Sequence, residues 1–191
     1  MLDFDTIHNA LSKNLKRKAS TSPDYHSIVQ DKIAGVLVII HGSDSKPSIL
    51  FTKRSENLKI HASEISFPGG NFVIKDLNPL NTALRETREE IGIDISPEFI
   101  LGALEPVQTL TSNYFIYPYV AMLERMPHTQ PNEEVQEIFS IPVENLLRAN
   151  PKNIVRSINA QPRQSQPISW ENNIIWGATA RILRFLLNRL E

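Results

Sequence analysis

Hydrophobic residues recur along the chain with two different periods, which predict strands and helices. Residues 33–40 form a β-branched run that is followed by His41-Gly42-Ser43, a pattern typical of a strand buried on both faces. Residues 48–52 are predicted to be its hairpin partner. Helical spacing at the two ends of the chain predicts amphipathic helices, formed by Phe4, Ile7, Leu11 and Leu15 near the start and by Thr179, Ile182, Leu183, Leu186, Leu187 and Leu190 near the end.

A further helix is predicted over residues 79–91 because both of its ends carry helix signals. Asn78 suits the N-cap, Pro79 the first helical position, and Gly92 the residue just past the end. More strands are predicted at 99–104, 114–123, 135–141, 168–170 and 174–176. Strands interspersed with about three helices, without regular alternation, indicate an α/β fold with a mixed β-sheet and helices on its faces.

Composition narrows the classes of function. The 191 residues suit one domain, with an N-terminal helix and linker over residues 1–32 and the main domain over 33–191. A net charge of −1 gives no electrostatic case for general nucleic-acid binding. The chain has no cysteine, which excludes disulfides, cysteine zinc sites and a thiol nucleophile. With no membrane-length apolar run and no signal-like start, we expect a cytoplasmic protein that does not enter the membrane.

Three glutamates in the predicted helix at 79–91 carry the strongest chemical signal. Glu86, Glu89 and Glu90 are three and four residues apart, so their carboxylates share one helix face. Arg85 can pair with one of them, which leaves two largely uncompensated. A divalent cation that prefers oxygen ligands would remove this repulsion, and the alternative is a solvated acidic face.

A glycine turn upstream favours the metal site over the solvated face. Pro68-Gly69-Gly70 predicts a tight turn in which backbone groups can approach a ligand. This turn and the acidic helix could present backbone and carboxylate oxygens to the same ion. Such an ion neutralises the charge of a diphosphate and lowers the pKa of bound water, whose proton a nearby carboxylate can take.

The segment from Gly70 to Arg85-Glu86-Thr87-Arg88-Glu89-Glu90-Ile91-Gly92-Ile93 resembles the Nudix box, G-x5-E-x7-R-E-U-x-E-E-x-G-U, where U is a bulky apolar residue. The resemblance implies a Nudix-type α/β/α sandwich that uses Mg²⁺ or Mn²⁺ to hydrolyse a nucleoside diphosphate linked to another group. Three features depart from the motif. Asp76 stands where the first glutamate belongs, residues 77–84 are one more than the seven of the motif, and Thr87 takes the bulky apolar position.

The flanking residues resemble the coenzyme A pyrophosphatase branch of this family. Residues 50–58 and 61–70 are similar to its L-L-T-x-R-S-x-x-L-x-x-H-x-G-x-[IV]-x-F-P-G-G signature. Residues 131–147 and 175–183 are similar to its N-x-x-E-V…F-x-V-P-x-x-x-L-L and I-W-G-x-T-A-x-I-L segments. Ser63 replaces the signature glycine, and Val73 occupies a position that is usually acidic.

The resemblance implies a role for each candidate residue. Glu86, Glu89 and Glu90 would hold the cations. The Gly69 carbonyl would be a further ligand, and Arg85 would orient a carboxylate. The general base would be one of the three glutamates or Glu134, and the sequence leaves that choice open. The candidates for binding the small-molecule nucleotide substrate are Lys53, Arg54, His61 and Gly70.

The implied reaction is hydrolysis of coenzyme A or an acyl-coenzyme A to 4′-phosphopantetheine and adenosine 3′,5′-bisphosphate. Lys53 and Arg54 would read the extra 3′-phosphate, or they form a solvated strand end. The alternatives are hydrolysis of another nucleoside diphosphate, such as ADP-ribose or a dinucleotide, and a catalytically silent ligand sensor. The complete set of glutamates argues against the sensor, which does not need a costly acidic cluster. A homodimer is left open.

Overall fold

A computed structural model describes residues 2–15, 32–42, 46–58, 62–149 and 167–190. The helices are α1 (Phe4–Asn14), α2 (Pro79–Ile91), α3 (Val143–Ala149) and α4 (Gly177–Leu187). The strands are β1 (Ile33–His41), β2 (Ser48–Arg54), β3 (Ile65–Ser66), β4 (Gly69–Asn71), β5 (Ile100–Ala103), β6 (Val107–Gln108), β7 (Phe115–Leu123), β8 (Val135–Pro142), β9 (Ile168–Trp170) and β10 (Asn173–Ile175). Short 3₁₀ turns lie at Ile74–Asp76 and Pro97–Phe99.

The β-sheet is mixed and is built around β1. Strand β1 pairs in parallel with β7 along its whole length, from Ile33 opposite Phe115 to His41 opposite Leu123. On its other edge β1 pairs antiparallel with β2 and with β4. Strands β3 and β8 extend the sheet from β2, and β5 and β6 extend it from β7. The predicted mixed sheet is therefore confirmed.

Helices cover both faces of this sheet because successive side chains of β1 point to opposite sides. Val38 and Ile40 pack in one core cluster with the buried faces of α1, α3 and α4. Leu37 and Ile39 pack in a second cluster with residues of α2, including Ala83. The result is an α/β/α sandwich, in which α2 alone among the described helices contributes to the second cluster.

Most predicted elements are confirmed, and the differences lie at the ends of two strands and in the short helix α3. Helix α2 has the predicted bounds, with the Asn78 side chain accepting from the Asn81 amide and Gly92 in the left-handed conformation. The chain at Pro97–Phe99 forms a 3₁₀ turn instead of the start of a strand. Trp176 lies outside β10 and is 52% exposed, so it is not a core residue of this chain. Helix α3 was not predicted.

Helix α1 packs on the main domain. Ile7 and Leu11 are fully buried in the first core cluster. The Asn14 side-chain amide donates to the Arg189 carbonyl oxygen at 3.0 Å, which joins the two ends of the described chain. The predicted domain boundary at residue 32 stays a prediction. None of the helices in the described ranges has the length and apolar character needed to span a bilayer.

Gly35 allows α2 to approach β1, and Gly35→Ala is expected to lower the free energy of unfolding by about 2 kcal/mol or more. A Cβ at Gly35 would overlap the Pro79 carbonyl oxygen and lie 3.0 Å from the Ala83 amide nitrogen. Because both contacts are backbone atoms of α2, the helix would have to move. Urea unfolding measures the effect.

Gly177→Ala is the control for this substitution. A Cβ at Gly177 has no heavy atom within 4 Å, and only the positive φ of 62° opposes it, at a cost of about 1 kcal/mol. Equal losses for the two variants would contradict the steric role of Gly35.

Candidate active site

Two of the three predicted glutamates on α2 lie against the glycine turn at β4. The Glu90 side chain is buried, and its Oε2 accepts a hydrogen bond of 3.0 Å from the Gly69 amide. The Glu86 carboxylate lies over Gly70, where an added Cβ would be 2.5 Å from its Cδ. A side chain at Gly70 would therefore displace Glu86. The predicted convergence of the acidic helix and the glycine turn is observed for these two side chains.

Arg85 contacts more of the α2 glutamates than the sequence suggested. Its Nη1 lies 2.8 Å from Glu89 Oε2 and 2.9 Å from Glu86 Oε1. The expectation that Arg85 pairs with one glutamate was therefore wrong, because its side chain lies between two of them. Its Nη2 also donates to the Asn71 carbonyl oxygen at 3.2 Å, which ties α2 to the end of β4.

Asp76 fixes Arg85 from the other side. The Arg85 Nε and Nη2 donate to the two carboxylate oxygens of Asp76, both at 2.9 Å. Thr82 Oγ1 donates to Asp76 as well, at 2.9 Å. Burial opposes ionisation of Asp76, but the bonds from Arg85 and Thr82 outweigh it and lower the pKa of this carboxyl. The hydrogen bond with Asp76 also raises the pKa of Arg85. The role of Asp76 is thus to position Arg85.

Arg54 brings Glu134 to the same site. Arg54 is the last residue of β2, and its Nη1 lies 3.8 Å from Glu90 Oε1 while its Nη2 lies 3.5 Å from Glu134 Oε2. The Ser55 amide donates to the Glu134 carbonyl oxygen at 2.8 Å, so the backbone also holds the two segments together. Glu134 therefore lies beside the α2 glutamates, and we call Glu86, Glu89, Glu90 and Glu134 the acidic cluster. Its role as a candidate general base stays a prediction.

The other predicted substrate residues are not gathered in the same way. Lys53 precedes Arg54 on β2, and strand alternation places it on the face opposite to Arg54 and Glu90. The register of β2 with β8 also shifts between Lys53 and Arg54. His61 lies outside the described residues. The substrate roles of these residues stay predictions.

The carboxylates of this cluster have raised pKa values where they are buried. Burial raises the pKa of Glu90 to about 7; the Gly69 hydrogen bond and Arg54 oppose the shift, while Glu86 and Glu134 add to it. Burial also raises the pKa of Glu86, partly offset by Arg85. Desolvated carboxylates close to one another favour binding of a cation that can neutralise them.

The donors fit a hard divalent cation. Glu86, Glu90 and Glu134 supply carboxylate oxygens, which Mg²⁺ and Mn²⁺ prefer. In the described ranges no three acidic or histidine side chains already converge into a metal cluster. Glu89 is 48% exposed and is turned toward Arg85. Oxygen ligands are therefore available around the Gly69-Gly70 turn, but in this structure they form ion pairs with Arg54 and Arg85.

The departures from the motif are accommodated locally. Thr87, at the bulky apolar position, is buried, and its hydroxyl donates to the Ala83 carbonyl oxygen at 2.7 Å. Ser63 adopts a φ of 61°, the left-handed conformation that favours glycine. Val73 is 40% exposed, and its amide donates to Asp76. The sequence already pointed to this conformation, because Ser63 stands where the family signature has a glycine.

Comparison with known proteins shows the family. Residues 31–160 match the NUDIX domain. The uncharacterized Nudix hydrolase NudL of Yersinia pestis (strain Pestoides F) is 32% identical over 173 residues, which cover 90% of this chain and 85% of that protein. NudL of Yersinia pseudotuberculosis serotype O:1b (strain IP 31758) matches with the same identity and coverage.

Solved structures confirm the fold. A MutT/nudix family protein from Enterococcus faecalis has a TM-score of 0.61 and 14% identity, over 100% of this chain and 75% of that chain. The NUDIX domain of Shewanella oneidensis NrtR, crystallised with ADP ribose, has a TM-score of 0.51 and 18% identity, over 68% of this chain and 83% of that chain.

The chain therefore belongs to the Nudix family and is a pyrophosphohydrolase. Nudix hydrolases act on nucleoside diphosphate derivatives, and they generally need divalent metal ions, typically Mg²⁺ or Mn²⁺.

Glu90→Gln is expected to stabilise the metal-free protein at pH 8 by about 2 kcal/mol. Burial raises the pKa of Glu90 from its ordinary value of 4.5, which applies to the unfolded chain, to about 7 in the native state. Between these two values the native state binds more protons than the unfolded state, so the free energy of unfolding falls as the pH rises through this range. Glutamine carries no charge and keeps an oxygen for the Gly69 amide. Urea unfolding at pH 5 and pH 8 with a chelator measures the gain, which should be small at pH 5.

Glu89→Gln is the control, because Glu89 lies on the same helix with a side chain that is 48% exposed. We expect a change of less than about 0.5 kcal/mol for it at either pH. A Glu90→Gln variant that is no more stable than the wild type at pH 8 would contradict the burial cost at Glu90.

Ser63→Gly is expected to raise the free energy of unfolding by about 0.5 to 1 kcal/mol. Glycine removes the strain of a Cβ at φ 61°, and this gain exceeds the entropy that glycine adds to the unfolded chain. Ser96→Gly is the matched control, since Ser96 has a φ of −68° and makes no side-chain cap hydrogen bond. There the same substitution should destabilise, and a gain at both positions would show that strain at Ser63 is not the cause.

Proposed function

We propose that this Nudix hydrolase cleaves the diphosphate bond of coenzyme A or an acyl-coenzyme A. Water adds across the P–O–P linkage, so that one phosphate gains the hydroxyl and the other leaves as a phosphate monoester. The products are 4′-phosphopantetheine and adenosine 3′,5′-bisphosphate. The observation that carries the substrate class is the arrangement of the segments that resemble the coenzyme A pyrophosphatase branch.

These segments meet around Arg54. The Arg54 amide donates to the Glu64 carbonyl oxygen at 2.9 Å, and the Arg54 carbonyl oxygen accepts from the Ser63 amide at 3.2 Å. On the other side, Ser55 bonds to the backbone of Glu134. Signature positions that are distant in sequence are therefore neighbours beside Glu90 and Glu134. This convergence supports a shared role in holding one substrate.

The acidic cluster supplies the chemistry in this proposal. Glu86 and Glu90, with Glu89 and the Gly69 carbonyl as further ligands, would hold Mg²⁺ or Mn²⁺, which supplies charge neutralisation and an activated water. Arg85 keeps Glu86 and Glu89 in place. One of the three α2 glutamates, or Glu134, takes the proton of the attacking water.

Arg54, a predicted reader of the 3′-phosphate, is also a candidate for contact with the diphosphate. Its guanidinium lies beside Glu90 and Glu134, and a planar guanidinium can donate two hydrogen bonds to a phosphate. Lys53, on the opposite strand face, and His61 remain the candidates for groups farther along the ligand. Gly70 contributes a close backbone surface, because no side chain separates it from Glu86.

The test of substrate class is a panel of diphosphates assayed with Mg²⁺. We expect faster cleavage of coenzyme A than of ADP-ribose, NADH or a dinucleoside polyphosphate, with products identified by chromatography. Preferential cleavage of ADP-ribose would overturn the coenzyme A assignment. Metal-dependent binding without turnover of any compound would instead favour a ligand sensor.

Glu86→Gln and Glu144→Gln make the assay specific to the proposed site. Glu86→Gln is expected to lose about 100-fold or more of the activity, since a metal ligand is removed. Glu144 pairs with Arg148 on α3, away from the acidic cluster, and its variant should keep wild-type activity. Turnover that survives Glu86→Gln would point to another site or to a contaminant.

A further inference from the structure

The two arginines of the acidic cluster are held very differently. Arg85 makes contacts of 2.8 to 2.9 Å with Asp76, Glu86 and Glu89, and its side chain is 15% exposed. Arg54 has longer contacts, 3.8 Å to Glu90 and 3.5 Å to Glu134, and its side chain is 26% exposed. Arg85 is therefore fixed by a network, whereas Arg54 has weaker and more exchangeable partners.

The Nε of Arg54 adds to this contrast. It is buried, and no hydrogen-bond acceptor for it is found among the described residues. A buried donor without an acceptor costs free energy, so this position of the guanidinium is not its best-satisfied arrangement. Attraction to the two carboxylates offsets that cost and keeps Arg54 between α2 and the segment before β8.

A guanidinium and a divalent cation require the same oxygens. Glu90 and Glu134 come from different elements, and the charge between them in this structure belongs to Arg54. An ion that coordinates either carboxylate would replace a long ion pair with a direct bond to oxygen. It would also meet the positive charge of Arg54 at close range, which repels it.

We propose that Arg54 is a resident counter-ion that competes with the divalent cation for Glu90 and Glu134. Removing its charge therefore strengthens metal binding, although Arg54 belongs to the active site. This inference rests on the proposed function, because it takes Glu90 as a ligand of the metal and Glu134 as a second carboxylate beside it. It assigns to Arg54 a role in the metal-free enzyme that is separate from contact with a substrate phosphate.

The experiment is calorimetric titration of the 191-residue, chelator-treated protein with Mn²⁺ alone at about pH 8.5, above the raised pKa of Glu90. Arg54→Gln is expected to lower the Kd for Mn²⁺ at least threefold. Lys53→Gln removes one positive charge from the neighbouring position on the opposite strand face, and its Kd should stay within twofold of the wild type. Circular dichroism and thermal melts confirm that each variant is folded.

An unchanged or higher Kd in Arg54→Gln overturns the competition and shows that Arg54 aligns the glutamates instead. An equal gain in Lys53→Gln also overturns it, because the effect would then be general electrostatics. If Arg54→Gln does not fold, Arg54→Met, which keeps an apolar stem, decides by the same criterion. A wild-type protein that binds no Mn²⁺ would instead contradict the metal site of the proposed function itself.

Discussion

The candidate active site depends on one steric constraint, the close approach of α2 to the backbone of β1 and β4, where glycines carry no side chain. Gly35 leaves room for the first turn of α2, and Gly70 leaves room for the Glu86 carboxylate. Gly69 has a φ of 152° and presents its amide to Glu90. A Cβ at Gly35 would push α2 away and one at Gly70 would displace the Glu86 carboxylate, whereas a Cβ at Gly69 would overlap the backbone of β1. The glycines therefore determine the depth at which the acidic side chains are buried.

Burying the carboxylates at that depth costs free energy, and the arginines beside them offset part of this cost. Carboxylates that lose water resist ionisation, as the raised pKa of Glu90 shows. Arg85 offsets part of the cost, and Asp76 holds Arg85 by both carboxylate oxygens. The shorter Asp76 and the extra residue before Arg85 occur together in this chain. Asp76 reaches the Arg85 guanidinium with both carboxylate oxygens despite these two departures from the motif.

Local signals predicted α2 and the face that Glu86 and Glu90 share, because caps and spacing act within a few residues of the chain. They could not predict the partner of Glu90, since Arg54 lies on another element and meets it only through the sheet. Helix α3 is short, and burial of Val143 and Leu146 on the core, rather than a local repeat, stabilises it. The pairing of β1 with β7 likewise depends on contacts between residues that are far apart in the sequence. Prediction thus succeeded for the bounds of α2 and for the shared face of Glu86 and Glu90. It was wrong on the number of glutamates that Arg85 contacts, and it did not reach the ion pairs between elements.

Arg54 connects the proposed substrate segment to the proposed metal ligands. Its backbone is bonded on both sides to the segment before β3, through Ser63 and Glu64, while its side chain reaches Glu90 and Glu134. A change in that segment, such as serine at position 63, therefore acts on the backbone from which the guanidinium extends. Because the same guanidinium lies against the carboxylates, such a change would alter the electrostatics of the proposed metal site as well as the shape of this segment. Under the proposed function, substrate specificity and metal affinity are therefore coupled at this edge of the sheet.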